Sequence, residues 1–85
     1  MDENDPIEKR IINFLYATQP FATTEKLHII VKRSGLIRTT KQQVVQRISY
    51  LEKKGILQEH HGLNNKKAWM LGTEKREELD NNGHG

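Results

Sequence analysis

The side chains with chemistry to offer gather in one stretch, TTKQQVVQRISYLEKKGIL, from Thr39 to Leu57. It carries three glutamines, hydroxyls at Thr39, Thr40 and Ser49, and a run of cations, with no carboxylate at its centre. An amide donates and accepts at once, a guanidinium presents a planar fork of donors, and hydroxyl and ammonium groups suit phosphate oxygens. If the stretch is helical, successive residues turn by roughly 100°. Val44, Ile48 and Leu51 then share a narrow apolar face. The far side holds Gln42, Gln43, Gln46, Ser49, Tyr50 and Lys53, with Arg47 on its border. One face is built for a core and the other for an outside partner, and the outer chemistry suits base edges and phosphates.

The ends of this helix are marked locally. Thr39 with Gln42, and Thr40 with Gln43, each fit a capping box, in which a hydroxyl and an amide satisfy the first free N–H groups. Gly55 marks the stop, because the residue after a helix often needs a left-handed backbone.

The elements around it follow from the same rules. Asp5-Pro6 opens a first helix, with Asp5 as cap, Pro6 in the first position and Glu8 completing a box. Ile7, Ile11, Phe14, Leu15 and Thr18 share its face, and it runs to about Ala17 before Gln19-Pro20. Phe21-Ala22 is a short extended piece, and Thr23 or Thr24 caps a second helix with Leu27, Ile30 and Val31 inward and Ile29 pointing away. Ser34-Gly35 ends it, and Leu36 and Ile37 form an apolar plug before the third helix. Beyond Gly55, residues 56–61 read as a strand, 62–66 as a loop and 67–71 as a returning strand. Gly72 breaks that strand, and Thr73 caps a last short helix to about Leu79. The expected division is a disordered start over 1–5, one domain over 6–79 and a flexible tail over 80–85.

Eighty-five residues make one domain with a limited core. The absence of cysteine excludes disulfides and thiolate metal sites. No apolar run approaches membrane-spanning length, and the acidic, polar N-terminus does not read as a signal peptide, so a cytoplasmic (or nuclear) location is expected. The net charge of +3 hides an asymmetry. Residues 9–72 hold twelve Lys or Arg against three acids, while residues 1–8 hold four acids and no Lys or Arg. A basic body between acidic ends fits a polyanion partner or, alternatively, a solvated cationic surface.

Enzymatic chemistry finds no footing. His60 and His61 are adjacent on a strand and point to opposite faces, so they cannot grip one ion together. His28 lies beside the apolar face of the second helix, and His84 is in the tail. The glycines are scattered, without a phosphate loop, and the carboxylates gather at the termini. No catalytic site, cofactor, metal or small-molecule ligand is expected.

Three short helices followed by a β-hairpin is the order of the winged helix-turn-helix fold, an α+β class with a three-helix core, a C-terminal hairpin wing and, here, a short final helix. ISYLEKKGIL, Ile48 to Leu57, resembles the end of the recognition helix and the start of the wing in small bacterial and archaeal transcription regulators of the MarR, ArsR and PadR groups. There a leucine, a charged pair, a glycine and two aliphatics recur in that order. MLGTEKREEL, Met70 to Leu79, resembles the wing exit and following helix, with Gly72 inserted and no glycine after the Lys. The resemblance implies sequence-specific binding of double-stranded DNA by a transcription regulator, with the helix from Thr40 in the major groove. Thr39, Thr40, Lys41, Gln42, Gln43, Gln46 and Arg47 would read, with Tyr50 and Lys53 further along. The wing tip, with Asn65, Lys66 and Lys67, would reach the backbone or the neighbouring minor groove. Those groups dimerise through long terminal helices, so a second copy is the other implied partner, although the termini here are short.

A second resemblance is to the Z-alpha domains, which hold left-handed DNA. It rests on Ala22-Thr23-Thr24 at the start of helix 2 and Trp69 in the returning strand. When Leu51 and Gly55 are aligned, Val45 and Ser49 stand where those domains use asparagine and tyrosine, Tyr50 is displaced by one position, and the wing prolines are missing. Trp69 reads better as a core or wing-base aromatic. The competing functions are a protein-interaction winged helix within a transcription or replication assembly and a non-specific architectural DNA coat.

Overall fold

A computed structural model describes residues 5–63 and 66–82. The order is α1 (Pro6–Ala17), β1 (Phe21–Thr23), α2 (Thr24–Arg33), α3 (Lys41–Lys53), β2 (Leu57–Leu63), β3 (Lys66–Leu71) and α4 (Thr73–Asn82). The three strands form one antiparallel sheet with β3 in the middle, giving an α+β architecture. No helix among the described residues is long and apolar enough to cross a membrane.

Local chemistry explains where the helices start and stop. Asp5 Oδ1 accepts the N–H groups of Ile7 and Glu8 at 2.9 and 3.0 Å, and Pro6 lacks the N–H that would otherwise be orphaned. Thr23 Oγ1 accepts Lys26 N–H. Thr40 closes a full capping box: Thr40 Oγ1 accepts Gln43 N–H at 3.1 Å, and Gln43 Oε1 accepts Thr40 N–H at 2.9 Å. At the other end of α3, Gly55 adopts φ +79°. Its N–H donates to Glu52 O, and Ile56 N–H reaches back to Leu51 O at 2.9 Å. These are the paired bonds of a Schellman ending, and Ile56 packs near Leu51 as that ending favours.

The core lies between the helices and the inner face of the sheet. Ile11 and Leu15 from α1, Leu27 and Val31 from α2, and Val44 and Leu51 from α3 are fully buried, with Ile48 nearly so. Ala22, Leu57, Trp69 and Leu71 close the sheet side. Trp69 is a core aromatic whose Nε1–H donates to Thr24 Oγ1 at 3.1 Å.

Several expectations are corrected. Glu8 does not complete a capping box; it is buried and its carboxylate turns to Arg47. Leu36 packs against the core, but Ile37 is 70 % exposed and plugs nothing. The extended piece at Phe21 pairs across the molecule with Met70, Trp69 and Ala68, because a strand this short needs a partner ladder to persist. The strands are longer than the alternation suggested: β2 runs through Gly62 to Leu63 and β3 starts at Lys66, with an irregular register between His60 and Leu63. Asn64 and Asn65 lie outside the described residues, as do residues 1–4 and 83–85, where the disordered start and His84 were placed. The tail does not begin at Asp80. The last helix continues to Asn82, because Tyr16 Oη donates to Asp80 Oδ1 at 2.6 Å and Arg76 donates to Leu15 O across the α1–α4 seam. That bond to Asp80 also holds the Tyr16 phenol above its usual pKa.

Candidate functional site

α3 presents three longitudinal strips, and each is committed differently. Val44, Ile48 and Leu51 form the buried strip. A second flank carries Gln43, Arg47 and Tyr50, each with a partner within the fold, although Gln43 is itself exposed. The Gln43 carbonyl is held in the capping box. Tyr50 is half-buried against the core, with Lys54 Nζ 5.4 Å from its ring centroid. Arg47 reaches α1, with Nε 3.4 Å from Asp5 Oδ2 and Nη1 3.5 Å from Glu8 Oε2. Helical angle places these three on the outer face or its border; Arg47 turns to α1 instead, while Gln43 stays exposed.

The remaining strip is open. Gln42, Val45, Gln46, Ser49 and Lys53 are all exposed, and no hydrogen bond or ion pair engages their side chains among the described residues. They follow the spacing i, i+3, i+4, i+7 and i+11 that keeps helix positions on one side. Val45 was absent from the expected outer face, yet it is 42 % exposed. Its position three residues after Gln42 was the available signal.

The strip borders a groove of about 280 Å³ lined by Thr24 and Glu25 of α2, Lys41 and Val45 of α3, and Lys66 and Lys67 of β3. Lys66 and Lys67 are both exposed, so the loop end of the hairpin adds two ammonium groups beside α3. Glu25 is a member that was not foreseen. Its carboxylate lies 3.2 Å from Lys41 Nζ, and its own backbone N–H followed by the Lys41 ammonium holds its pKa below the ordinary value. Thr39 is half-buried, and its carbonyl accepts from His28 Nε2 at 2.8 Å, which ties the turn before α3 to α2. Thr40 is exposed but serves as the cap. Among the expected site residues, Lys41, Lys66 and Lys67 line the groove, and Gln42, Gln46 and Lys53 stand exposed on the open strip of α3. Thr40 and Gln43 form the cap of α3, the Thr39 carbonyl is tied to α2, Arg47 and Tyr50 have partners within the fold, and Asn65 lies outside the described residues.

The histidines do not converge. His60 stacks on Phe21 with ring centroids 4.5 Å apart, while His28 serves the turn. No group of three His, Asp or Glu among the described residues could hold a metal.

The Arg47 clamp has a measurable consequence. Burial, and then the neighbouring Asp5 charge, raise the Glu8 carboxyl above 4.5, against the opposing pull of Arg47. A carboxyl raised in this way binds its proton more tightly folded than unfolded. Its ionisation costs stability as pH rises from 4.5 through the raised folded value, and it costs nothing well below 4.5, where both states are protonated. Arg47→Ala removes the compensating cation and deepens that loss. The guanidinium is 41 % exposed, so water screens the pair. The expected penalty at pH 7 is therefore about 1–2 kcal/mol, below the ~3–5 kcal/mol of a fully buried pair. Urea denaturation at pH 4 and pH 7 should show the variant much closer to the parent at pH 4. An equal gap at both pH values would mean that the contribution of Arg47 does not run through the Glu8 charge, leaving its contact with Asp5 and its packing.

Comparison of the chain with family models, with curated proteins and with solved structures found no match in any of the three.

Proposed function

We propose that the protein is a winged helix that binds double-stranded DNA sequence-specifically and acts as a small transcription regulator, with α3 as the recognition helix and the β2–β3 hairpin as the wing. The observation that carries this reading is the open strip of α3: amides, a hydroxyl and an ammonium with no carboxylate among them, flanked by Lys66 and Lys67. The order of elements and the pairing of β1 with β3 support it, since they seat α3 against the hairpin. α3 is capped at both ends and fixed on three sides, so its free side chains are presented on a rigid element. The basic charge of residues 9–72 supplies the attraction to phosphate.

A second reading has its own observation. Ile29 is 46 % exposed on α2 and Ile37 is more exposed still, with Lys32, Arg33 and Arg38 exposed nearby in sequence. Phosphate backbones offer nothing apolar to either aliphatic, so a protein partner at one of these positions is the second reading.

Retention of a randomised duplex pool at two salt concentrations, followed by sequencing, tests the DNA reading. A regulator retains a defined sequence class, an architectural protein retains all sequences with a steep salt dependence, and an interaction module retains nothing at low salt. On the leading reading, Lys66→Ala weakens every duplex alike and lowers the slope of log K against log salt by about one unit. A sequence-dependent loss in that variant would move Lys66 from backbone contact to base contact.

A further inference from the structure

The structure narrows what α3 can read. Arginine is the side chain best fitted to guanine, through a bidentate fork to O6 and N7. The only arginine on this helix is Arg47, and its guanidinium is held by Asp5 and Glu8 on the flank facing α1. Lys41, the cation in the first turn, lies against Glu25. The unengaged groups at the N-terminal half of the strip, where recognition helices make most base contacts, are the amides of Gln42 and Gln46 and the aliphatic side chain of Val45. A glutamine amide matches the N6 donor and N7 acceptor of adenine, and an apolar group matches the C5-methyl of thymine. Gln42, Val45 and Gln46 stand three and four residues apart, so the two amides and the methyl-bearing side chain are neighbours on one helix surface.

Resting on the reading of α3 as the element in the major groove, we infer that its target is a run of A·T pairs, with Gln42 and Gln46 on adenine edges and Val45 against a thymine methyl. Arg47 takes no part in reading; it is a positioning residue that fixes the helix to α1.

The test uses the full chain and the retained fraction of the randomised pool. A·T pairs should be enriched over the central positions. Gln42→Ala and Gln46→Ala, both at exposed positions, should each lose about five- to 150-fold discrimination at one A·T pair. Replacing thymine by uracil in the best-retained duplex removes only the methyl group. That change should weaken the parent roughly fourfold and leave Val45→Ala unaffected. A retained pool centred on guanine, with the enrichment abolished by Arg47→Gln, would overturn the inference while leaving duplex binding intact. Retention without any base preference would overturn it together with the sequence-specific part of the proposed function, leaving only duplex binding. Failure to retain any duplex at the lower salt would overturn the DNA reading itself, and this inference with it.

Discussion

Leu51→Ala is expected to remove about 2–5 kcal/mol of stability, the range for truncating a sealed core leucine. Leu51 has no exposed surface, and it sits where α3 meets the sheet. Its own carbonyl accepts the Ile56 N–H that turns the chain from α3 into β2. The side chain thus packs the core on the same residue whose backbone closes the helix, so the cavity cannot collapse without disturbing that turn. At about 0.05–0.15 kcal/mol per residue, a chain of 85 residues has roughly 4–13 kcal/mol in total. The loss is a large share of that total. Thermal melts followed by circular dichroism should fall by roughly 8–40 °C, at about 4–8 °C per kcal/mol for a domain of this size. Ser49→Ala, on the open strip of the same helix, supplies the contrast, with a change within about 0.5 kcal/mol. Comparable melts for the two variants would mean that the buried and open faces of α3 have been assigned the wrong way round.

That contrast also separates what was legible in the chain from what was not. Val44, Ile48 and Leu51 are spaced so that any helix there must bury them together, and all three are in the core. The caps at Asp5 and Thr40, the stop at Gly55 and the two hairpin strands are likewise properties of a few consecutive residues. Helical angle alone, however, sorted the polar side of α3 into one face. The fold divides it in two, because α1 arrives on one flank with Asp5 and Glu8 already aimed at Arg47. That meeting joins residues 39 positions apart, and nothing local announces it. The Glu25–Lys41 pair and the Tyr16–Asp80 bond are invisible for the same reason. Val45 belongs to neither expected face, although its angle beside Gln42 points outward, and it is exposed. On the proposed reading of α3, an engaged Arg47 and an exposed Val45 change which base the strip suits.

The second large effect is expected at Gly72, which reads in the chain only as a strand breaker. Its role in the fold is a close approach. Gly72 N–H donates to Ile56 O at 2.8 Å, which brings the β3–α4 junction down onto the turn that ends α3. A Cβ at position 72 would collide with the carbonyl oxygen of Gly55, a backbone atom with no rotamer to escape through. Gly55 cannot easily yield, because its left-handed backbone and its N–H bond to Glu52 O are what terminate α3. Gly72→Ala should therefore cost toward the upper end of about 1–3 kcal/mol, and more if the Ile56 bond is lost. Gly35→Ala makes the informative comparison. That glycine has φ +115° but open space around it, so its cost of about 1–2 kcal/mol is backbone strain with no neighbour displaced. The two variants should also differ in reach. Hydrogen exchange in Gly35→Ala should rise only around the α2–α3 turn. In Gly72→Ala it should rise at Gly55, Ile56 and the start of β2, because the hairpin is pushed from the end of α3. If the proposed function holds, that displacement moves Lys66 and Lys67 relative to Gln42 and Gln46, and duplex affinity falls even at temperatures where the variant is fully folded. A Gly72→Ala protein with parental stability and parental exchange at Ile56 would show that the two glycine backbones do not touch, and the rigid seating of the hairpin against α3 would go with them.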